Sequence, residues 1–238
     1  MQSGVNTITT SGSNRTFEVF LPSDTSDMAV TFFWYGTGGS GQDYSWLQGF
    51  ASGYDLAIVV PQAAGSLTFE WPVMGSDNTA AELTFVDDMV ACVTETLDVD
   101  TTKIYTSGFS AGALWSSYLV MQRSNYLASA AIFSGGTGSL VRTYETPEVS
   151  IPILGFHGGD ADVYGGFVNF KDQMTQFLGN LDTDGHFIVV CDHGEGHTIP
   201  NGALDGAFQF LTDHSYGDTA SPHASTLPAF LPDYCRYW

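Results

Sequence analysis

Basic residues are scarce in this sequence, which has 6 Lys and Arg against 26 Asp and Glu and a formal net charge of −20 at pH 7. Proteins contact phosphate groups largely through Lys and Arg, so we expect neither nucleic-acid binding nor attraction to an anionic membrane surface. The carboxylates keep the surface hydrated and soluble. Because so few lysines accompany them, they also favour a marine or halophilic source.

Long hydrophobic runs are also missing. No apolar run approaches the roughly 18 residues that suggest a membrane span, and the longest stretches, 28–35 and 56–61, have the length of buried strands. Residues 1–4 have neither the basic nor the apolar region of a signal peptide. If the protein is exported, we expect that such a segment has already been removed.

Only three cysteines are present, Cys92, Cys191 and Cys235, and three cannot all pair within the chain. No C-x-x-C motif or Cys/His cluster occurs, so we expect no metal site. We expect a disulfide between Cys191, which precedes a histidine-bearing loop, and Cys235, near the C-terminus. The alternative is three free thiols, as in a cytosolic enzyme.

The 238 residues, 43% of them hydrophobic, suffice for one domain, 1–238, with its own core. Hydrophobic periodicity predicts an α/β fold with a mostly parallel sheet covered by helices on both faces. A Pro- and Ser-rich tail, 217–238, is expected to wrap around the domain or hang loose. The predicted strands are 16–21 (at an edge), 28–35, 56–61, 103–106, 129–133, 151–156 and 187–191, and the predicted helices are 44–52, 79–97, 111–122, 167–181 and 204–212.

A G-x-S-x-G motif, formed by Gly108, Ser110 and Gly112, lies where a predicted strand ends and a predicted helix begins. At such a junction the chain turns sharply and exposes the serine hydroxyl above the sheet. The small flanking residues let neighbouring backbone approach, and the helix N-terminus points at the reacting carbonyl. The alternative is an ordinary glycine-rich turn, but this position favours Ser110 as a nucleophile.

A glycine-rich loop, 36–41, follows an earlier predicted strand. A tetrahedral intermediate needs two backbone N–H donors around its oxygen. We expect one from Ala111, directly after the nucleophile, and the other from Thr37 in the loop. The alternative is a plain flexible loop. Tyr35 precedes the loop and leaves its backbone donor intact.

All six histidines follow the nucleophile in the chain, so chain order eliminates none of them. His197 lies in a loop between the last predicted strand and the last predicted helix, from which its imidazole can reach the serine; His193, in the same loop, is the alternative base. The acid should follow the strand 151–156. There we favour Asp162, with Asp160 as the alternative.

Together these residues resemble α/β-hydrolase serine esterases, in particular the secreted esterases related to polyhydroxybutyrate depolymerases and feruloyl esterases. The resemblance runs from about residue 15 to 200. It rests on the loop 35–39, Trp71-Pro72, the elbow 108–112, the acid loop 159–166, and Gly196-His197-Thr198 before a proline, which is like the G-H-T-x-P signature of that group.

The resemblance implies an α/β-hydrolase fold without a large lid and a secreted carboxylic ester hydrolase. Its triad would be Ser110, Asp162 and His197, working through an acyl-enzyme without a cofactor. Related enzymes carry a second cysteine some residues after the position of Cys92. It is absent here, so we expect Cys92 to be a buried thiol.

Enzymes of this group cleave feruloyl, acetyl or polyester esters at an open cleft. Tyr44, Trp46 and Trp71 are candidates for stacking on an aromatic acyl group or a polymer chain, and the alternative for each is packing in or beside the core. We expect a monomer whose partner is an ester substrate, polymeric esters included. A serine peptidase or amidase, and a non-catalytic binding module on the same fold, remain as alternative functions.

Overall fold

The computed structural model describes residues 1–65 and 67–238, with only the backbone of Gly41 and Gln42. The strands in these residues are β1 (Gly4–Thr10), β2 (Ser13–Phe20), β3 (Met28–Trp34), β4 (Leu56–Pro61), β5 (Val99–Phe109), β6 (Ser129–Phe133), β7 (Ile153–His157), β8 (Val163–Tyr164), β9 (Val168–Asn169), β10 (Ile188–Asp192) and β11 (Cys235–Tyr237). Nine of these strands form the central sheet, in the order β1-β2-β4-β3-β5-β6-β7-β10-β11, and β8 and β9 form a separate hairpin.

The middle of the sheet is parallel. β4, β3, β5, β6, β7 and β10 pair in parallel, whereas β1 with β2, β2 with β4, and β10 with β11 pair antiparallel. Every residue of β3, β4, β6 and β7 is buried. Such continuous apolar strands are expected where a parallel sheet is covered on both faces. The predicted α/β class is confirmed.

Within the described residues, five α-helices accompany the sheet: α1 (Leu47–Gly53), α2 (Ala80–Thr96), α3 (Ala111–Arg123), α4 (Phe170–Thr183) and α5 (Ala203–Thr212). α3 is buried continuously from Ala111 to Met121. A helix that is apolar all round belongs in the interior of a fold. α3 is therefore a rigid support for the loop that precedes it.

Several predicted boundaries need correction. The strand predicted at an edge, 16–21, is β2, an inner strand, because β1 pairs outside it from Gly4↔Val19 to Thr10↔Ser13. β5 begins at Val99, before the predicted 103. The helix predicted at 44–52 is instead a short 3-10 turn followed by α1.

The C-terminal tail is attached to the sheet. Cys191 in β10 and Cys235 in β11 form a disulfide, as predicted. Cys92 is a free thiol that is only partly buried, so the expected buried thiol is wrong in this respect. Over the described residues, no helix is both long enough and apolar enough to cross a membrane.

Candidate active site

Ser110 lies at the turn between β5 and α3 with φ 57° and ψ −122°. Residues with a Cβ rarely adopt positive φ, and such strain clusters at functional turns. The Ser110 N–H donates to the Phe133 carbonyl at 3.0 Å, which ties the turn to the end of β6. A Cβ at Gly112 would overlap the Trp34 carbonyl, so only glycine lets β3 pass this close to the turn.

The structure brings Ser110, His197 and Asp162 into one hydrogen-bonded chain. The Ser110 Oγ is 2.8 Å from His197 Nε2, and His197 Nδ1 is 2.7 Å from Asp162 Oδ1. Because the carboxylate only accepts, Nδ1 carries the proton and Nε2 is free to accept from the serine. The side chain of His197 is 19% exposed and that of Asp162 is 0% exposed.

The alternative acid and base lie elsewhere. The Asp160 side chain is 92% exposed and pairs with Lys171 at 2.6 Å. His193 accepts from the Glu195 N–H at 3.2 Å and faces the Tyr234 ring. Burial lowers the pKa of His193. The geometry therefore favours Asp162 and His197 over both alternatives.

The loop of the acid and the loop of the base are joined directly. The Gly196 N–H donates to the Gly158 carbonyl at 3.0 Å. A Cβ at Gly158 would overlap the Gly196 carbonyl, so a larger residue would push the two loops apart. This contact holds the backbone beside His197 against the backbone that precedes Asp162.

Two phenylalanine rings enclose the imidazole of His197. Phe170 stacks on one side at 4.5 Å with an interplanar angle of 8°, and Phe109 stacks at 4.8 Å with an angle of 27°. The stack fixes the plane of the ring, and aromatic faces attract a cation such as imidazolium. No sequence motif predicts a role for either phenylalanine. Phe109 lies within the G-x-S-x-G motif, but at one of its two unspecified positions.

A small apolar cavity opens beside the nucleophile. Its volume is about 20 Å³, and roughly 10–15 Å³ is enough for one water molecule. The predicted oxyanion donors, Thr37 and Ala111, line it together with Ser110. The remaining lining residues are Phe69, Val73, Met74, Leu114, Val141, Tyr164, Val168 and Phe170.

Two hydrogen bonds join the Thr37 loop to the segment that contains Glu70 and Trp71. The Gly38 N–H donates to Glu70 Oε1 at 3.1 Å, and the Trp71 Nε1–H donates to the Tyr35 carbonyl at 2.8 Å. Loop and elbow are thus held at the same cavity. Backbone donors fixed in this way need little reorganisation when charge develops on a substrate oxygen.

The fold of this chain matches those of known hydrolase structures. The chain superposes on native pOPH with a TM-score of 0.83 and 17% identity, covering 100% of this chain and 94% of pOPH. The hyperthermophilic esterase of Pyrobaculum calidifontis gives a TM-score of 0.64 and 15% identity, covering 89% of this chain and 82% of that esterase. This chain has the α/β-hydrolase fold. A further structural match is a fluorophosphonate-binding serine hydrolase of Staphylococcus aureus, with a TM-score of 0.66 and 11% identity, covering 87% of this chain and 97% of that chain.

Comparison by sequence gives fewer matches. No protein-family model matches the chain. A bifunctional acetylxylan esterase/xylanase of Neocallimastix patriciarum is 26% identical over 174 residues, which are 68% of this chain. The match spans 25% of that longer protein.

The aromatic residues predicted to bind substrate lie away from the cavity. Trp71 is fully buried, edge-on to Trp34 at 4.9 Å, so its ring cannot stack on a ligand and the prediction is corrected. Tyr44 is half-buried against Phe33 at 5.4 Å. Trp46 is 45% exposed, but it lines a separate groove beside Ile199 and Pro200.

Two other histidines lie in the interior of the fold. His157 and His186 are buried, and burial lowers the pKa of each. His186 Nδ1 lies 2.9 Å from the Ile151 carbonyl. In the described part of the chain, no group of three or more His, Cys, Asp or Glu side chains is arranged to hold a metal ion.

Proposed function

We propose that this chain is a serine carboxylic ester hydrolase in which Ser110 forms an acyl-enzyme. The observation that carries the proposal is the hydrogen-bonded chain from Ser110 through His197 to buried Asp162, with contacts of 2.8 and 2.7 Å. Ser110 lies at a strained turn, and its side chain lines an apolar cavity. The activities named for the acetylxylan esterase relative and the esterase neighbour support the same reaction class.

The mechanism follows from the direction of the hydrogen bonds. The Ser110 Oγ attacks the ester carbonyl while its proton passes to His197 Nε2, and Asp162 balances the imidazolium that forms. The N–H groups of Thr37 and Ala111 stabilise the oxyanion. The alcohol leaves with the proton from His197. A water that His197 deprotonates then attacks the acyl-enzyme and releases the acid, so no cofactor is consumed.

The cavity favours a short, uncharged acyl group. Its volume of about 20 Å³ leaves room for little more than one water molecule, so we infer that it accommodates a short acyl group such as acetyl and not a whole feruloyl group. The lining is apolar, with Leu114 and Val141 beside the nucleophile. The 174 residues that align with the acetylxylan esterase relative also support acetyl esters as the first candidate substrates. A feruloyl or polyester chain would have to extend beyond the cavity, toward the exposed side chains of Val163, Tyr164 and Phe167.

A substrate panel tests this function. We expect kcat/KM to fall from p-nitrophenyl acetate through the butyrate to the octanoate, and acetylated xylan to be hydrolysed faster than methyl ferulate or polyhydroxybutyrate. Matched amides should be hydrolysed far more slowly. Faster amide turnover would indicate a peptidase or amidase. Failure to turn over any ester, with Ser110 inert, would indicate a binding module.

We further propose that residues 1–238 form one catalytic domain that acts as a monomer outside the cell. The Cys191–Cys235 disulfide supports an oxidising compartment, where such bonds persist. Light scattering after size-exclusion chromatography tests the monomer, and fractionation of the source cells tests secretion. A dimer mass, or activity confined to the cytosol, would contradict the respective part.

A further inference from the structure

Ser134 occupies an unfavourable backbone conformation directly after β6. Its φ is 56° and its side chain is buried, with 1% of the residue exposed. Glycine adopts positive φ without steric cost, and Gly136, two residues later, does so here with φ 114°. The backbone conformation alone therefore does not require a serine at this position.

The hydroxyl of Ser134 contacts the candidate acid. The Ser134 Oγ lies 2.8 Å from Asp162 Oδ2, the oxygen that does not face His197. Because an ionised carboxylate only accepts hydrogen bonds, Ser134 is the donor. The Gly158 N–H donates to the same oxygen at 2.9 Å. The carboxylate is thus held by two donors on one oxygen while the other oxygen faces the imidazole.

The backbone of Ser134 is fixed independently of its side chain. Its N–H donates to the Phe156 carbonyl at 2.9 Å, which aligns the end of β6 with the end of β7. The hydroxyl therefore approaches Asp162 from a fixed strand end, whereas Gly158 belongs to the loop of the acid itself. Of these two donors, only Ser134 ties the carboxylate to a different part of the sheet.

We propose that Ser134 is a positioning residue for the catalytic acid. Its hydroxyl fixes the rotation of the Asp162 carboxylate so that Oδ1 faces His197 Nδ1, and the strained backbone is retained because it carries that hydroxyl. The torsion that turns a carboxylate is soft, so one donor fewer broadens its orientation. This inference rests on the proposed esterase function, since Ser134 acts only through Asp162.

Replacement by glycine separates a positioning role from a structural role. Ser134→Gly should lower kcat about 10- to 100-fold, the range that a hydrogen bond to a charged group is worth, with KM nearly unchanged. The melting temperature should change little, because glycine relieves the positive φ while the carboxylate oxygen loses one of its two donors and keeps the Gly158 N–H. Ser134→Ala should lower kcat by the same factor as Ser134→Gly. Ser129→Ala, which removes a buried hydroxyl at the start of β6, the strand that precedes Ser134, should keep full kcat.

A double-mutant cycle supplies the second test. If Ser134 works through Asp162, adding Ser134→Gly to Asp162→Asn should cause little further loss of kcat, because interacting residues are not additive. The proposal is overturned if Ser134→Gly keeps the kcat of the unmodified protein, if its loss only tracks a lower melting temperature, or if the two losses multiply. Absence of ester turnover in the unmodified protein would instead refute the proposed function.

Discussion

Replacement of Asp162 by asparagine is the sharpest single perturbation of the site. The change keeps the shape of the side chain but converts one acceptor oxygen into an NH₂ donor. In the structure the two oxygens receive three donors: His197 Nδ1 at 2.7 Å, the Ser134 hydroxyl at 2.8 Å and the Gly158 N–H at 2.9 Å. An asparagine cannot satisfy all three in either orientation.

Each orientation of the new amide has a definite cost. With its NH₂ toward His197, the imidazole must take the tautomer with hydrogen on Nε2, which can no longer accept the proton of Ser110. With its NH₂ toward Gly158, two N–H groups face each other in a site that is fully buried. Leaving a buried donor unpaired costs about 1–3 kcal/mol.

We therefore expect Asp162→Asn to lower kcat about 10⁴-fold, or about 5 kcal/mol of transition-state stabilisation, as the wrong tautomer does in such a relay. The free energy of unfolding should fall by at most about 1–3 kcal/mol, the cost of the orientation that leaves a buried donor unpaired. The matched control is Asp160→Asn, at an exposed carboxylate paired with Lys171, which should retain nearly all activity.

The assay is turnover of p-nitrophenyl acetate at constant pH, with circular dichroism and a melting curve for each variant. Comparing folded samples removes the contribution of lost stability. If Asp160→Asn is the more damaged variant, the acid role passes to Asp160. If Asp162→Asn keeps most of its activity while folded, the hydrogen-bonded chain does not determine the rate.

Three further predictions concern the rest of the molecule. Thiol titration under denaturing, non-reducing conditions should find one free thiol, Cys92, because Cys191 and Cys235 are paired; three thiols would refute the pair. Burial lowers the pKa of His214 in the folded chain, so the unfolded chain binds more protons and stability should fall as the pH drops below about 6.5; a flat melting temperature from pH 7.5 to 5 would contradict this. Raising sodium chloride from 0.01 to 1 M shortens the Debye length from about 30 to about 3 Å and should raise the melting temperature, since 26 acidic residues oppose 6 basic ones; an unchanged or lower value would remove the support for a halophilic source.

The buried part of the fold could be predicted from sequence because its signals are local. β3, β4 and β6 are short apolar runs bounded by turn residues, and each begins at the predicted residue. β1 was missed because Gly4–Thr10 is mostly polar and alternates between exposed and half-buried positions, without a clear apolar face. The early part of β5 was missed for the same reason, since Asp100 to Thr102 are polar.

In the candidate site, too, the residues that local motifs mark could be predicted, and those that only tertiary packing brings in could not. Ser110, Asp162 and His197 stand beside local motifs at strand ends, and a parallel sheet brings those ends to one edge. The prediction for Trp71 is wrong because no local pattern distinguishes a buried tryptophan from one at a cleft. Ser134 and Phe170 approach the triad only through the pairing of strands and the packing of α4, which the sequence does not display.

Labelling with a fluorophosphonate tests the central claim most directly. The reagent reacts with a serine that a histidine activates, and peptide mass spectrometry locates the modified residue. We expect one label, on Ser110, formed in step with the loss of ester turnover and absent from a folded Ser110→Ala variant. A label on another residue, or a folded Ser110→Ala variant that retains ester turnover, would contradict the account.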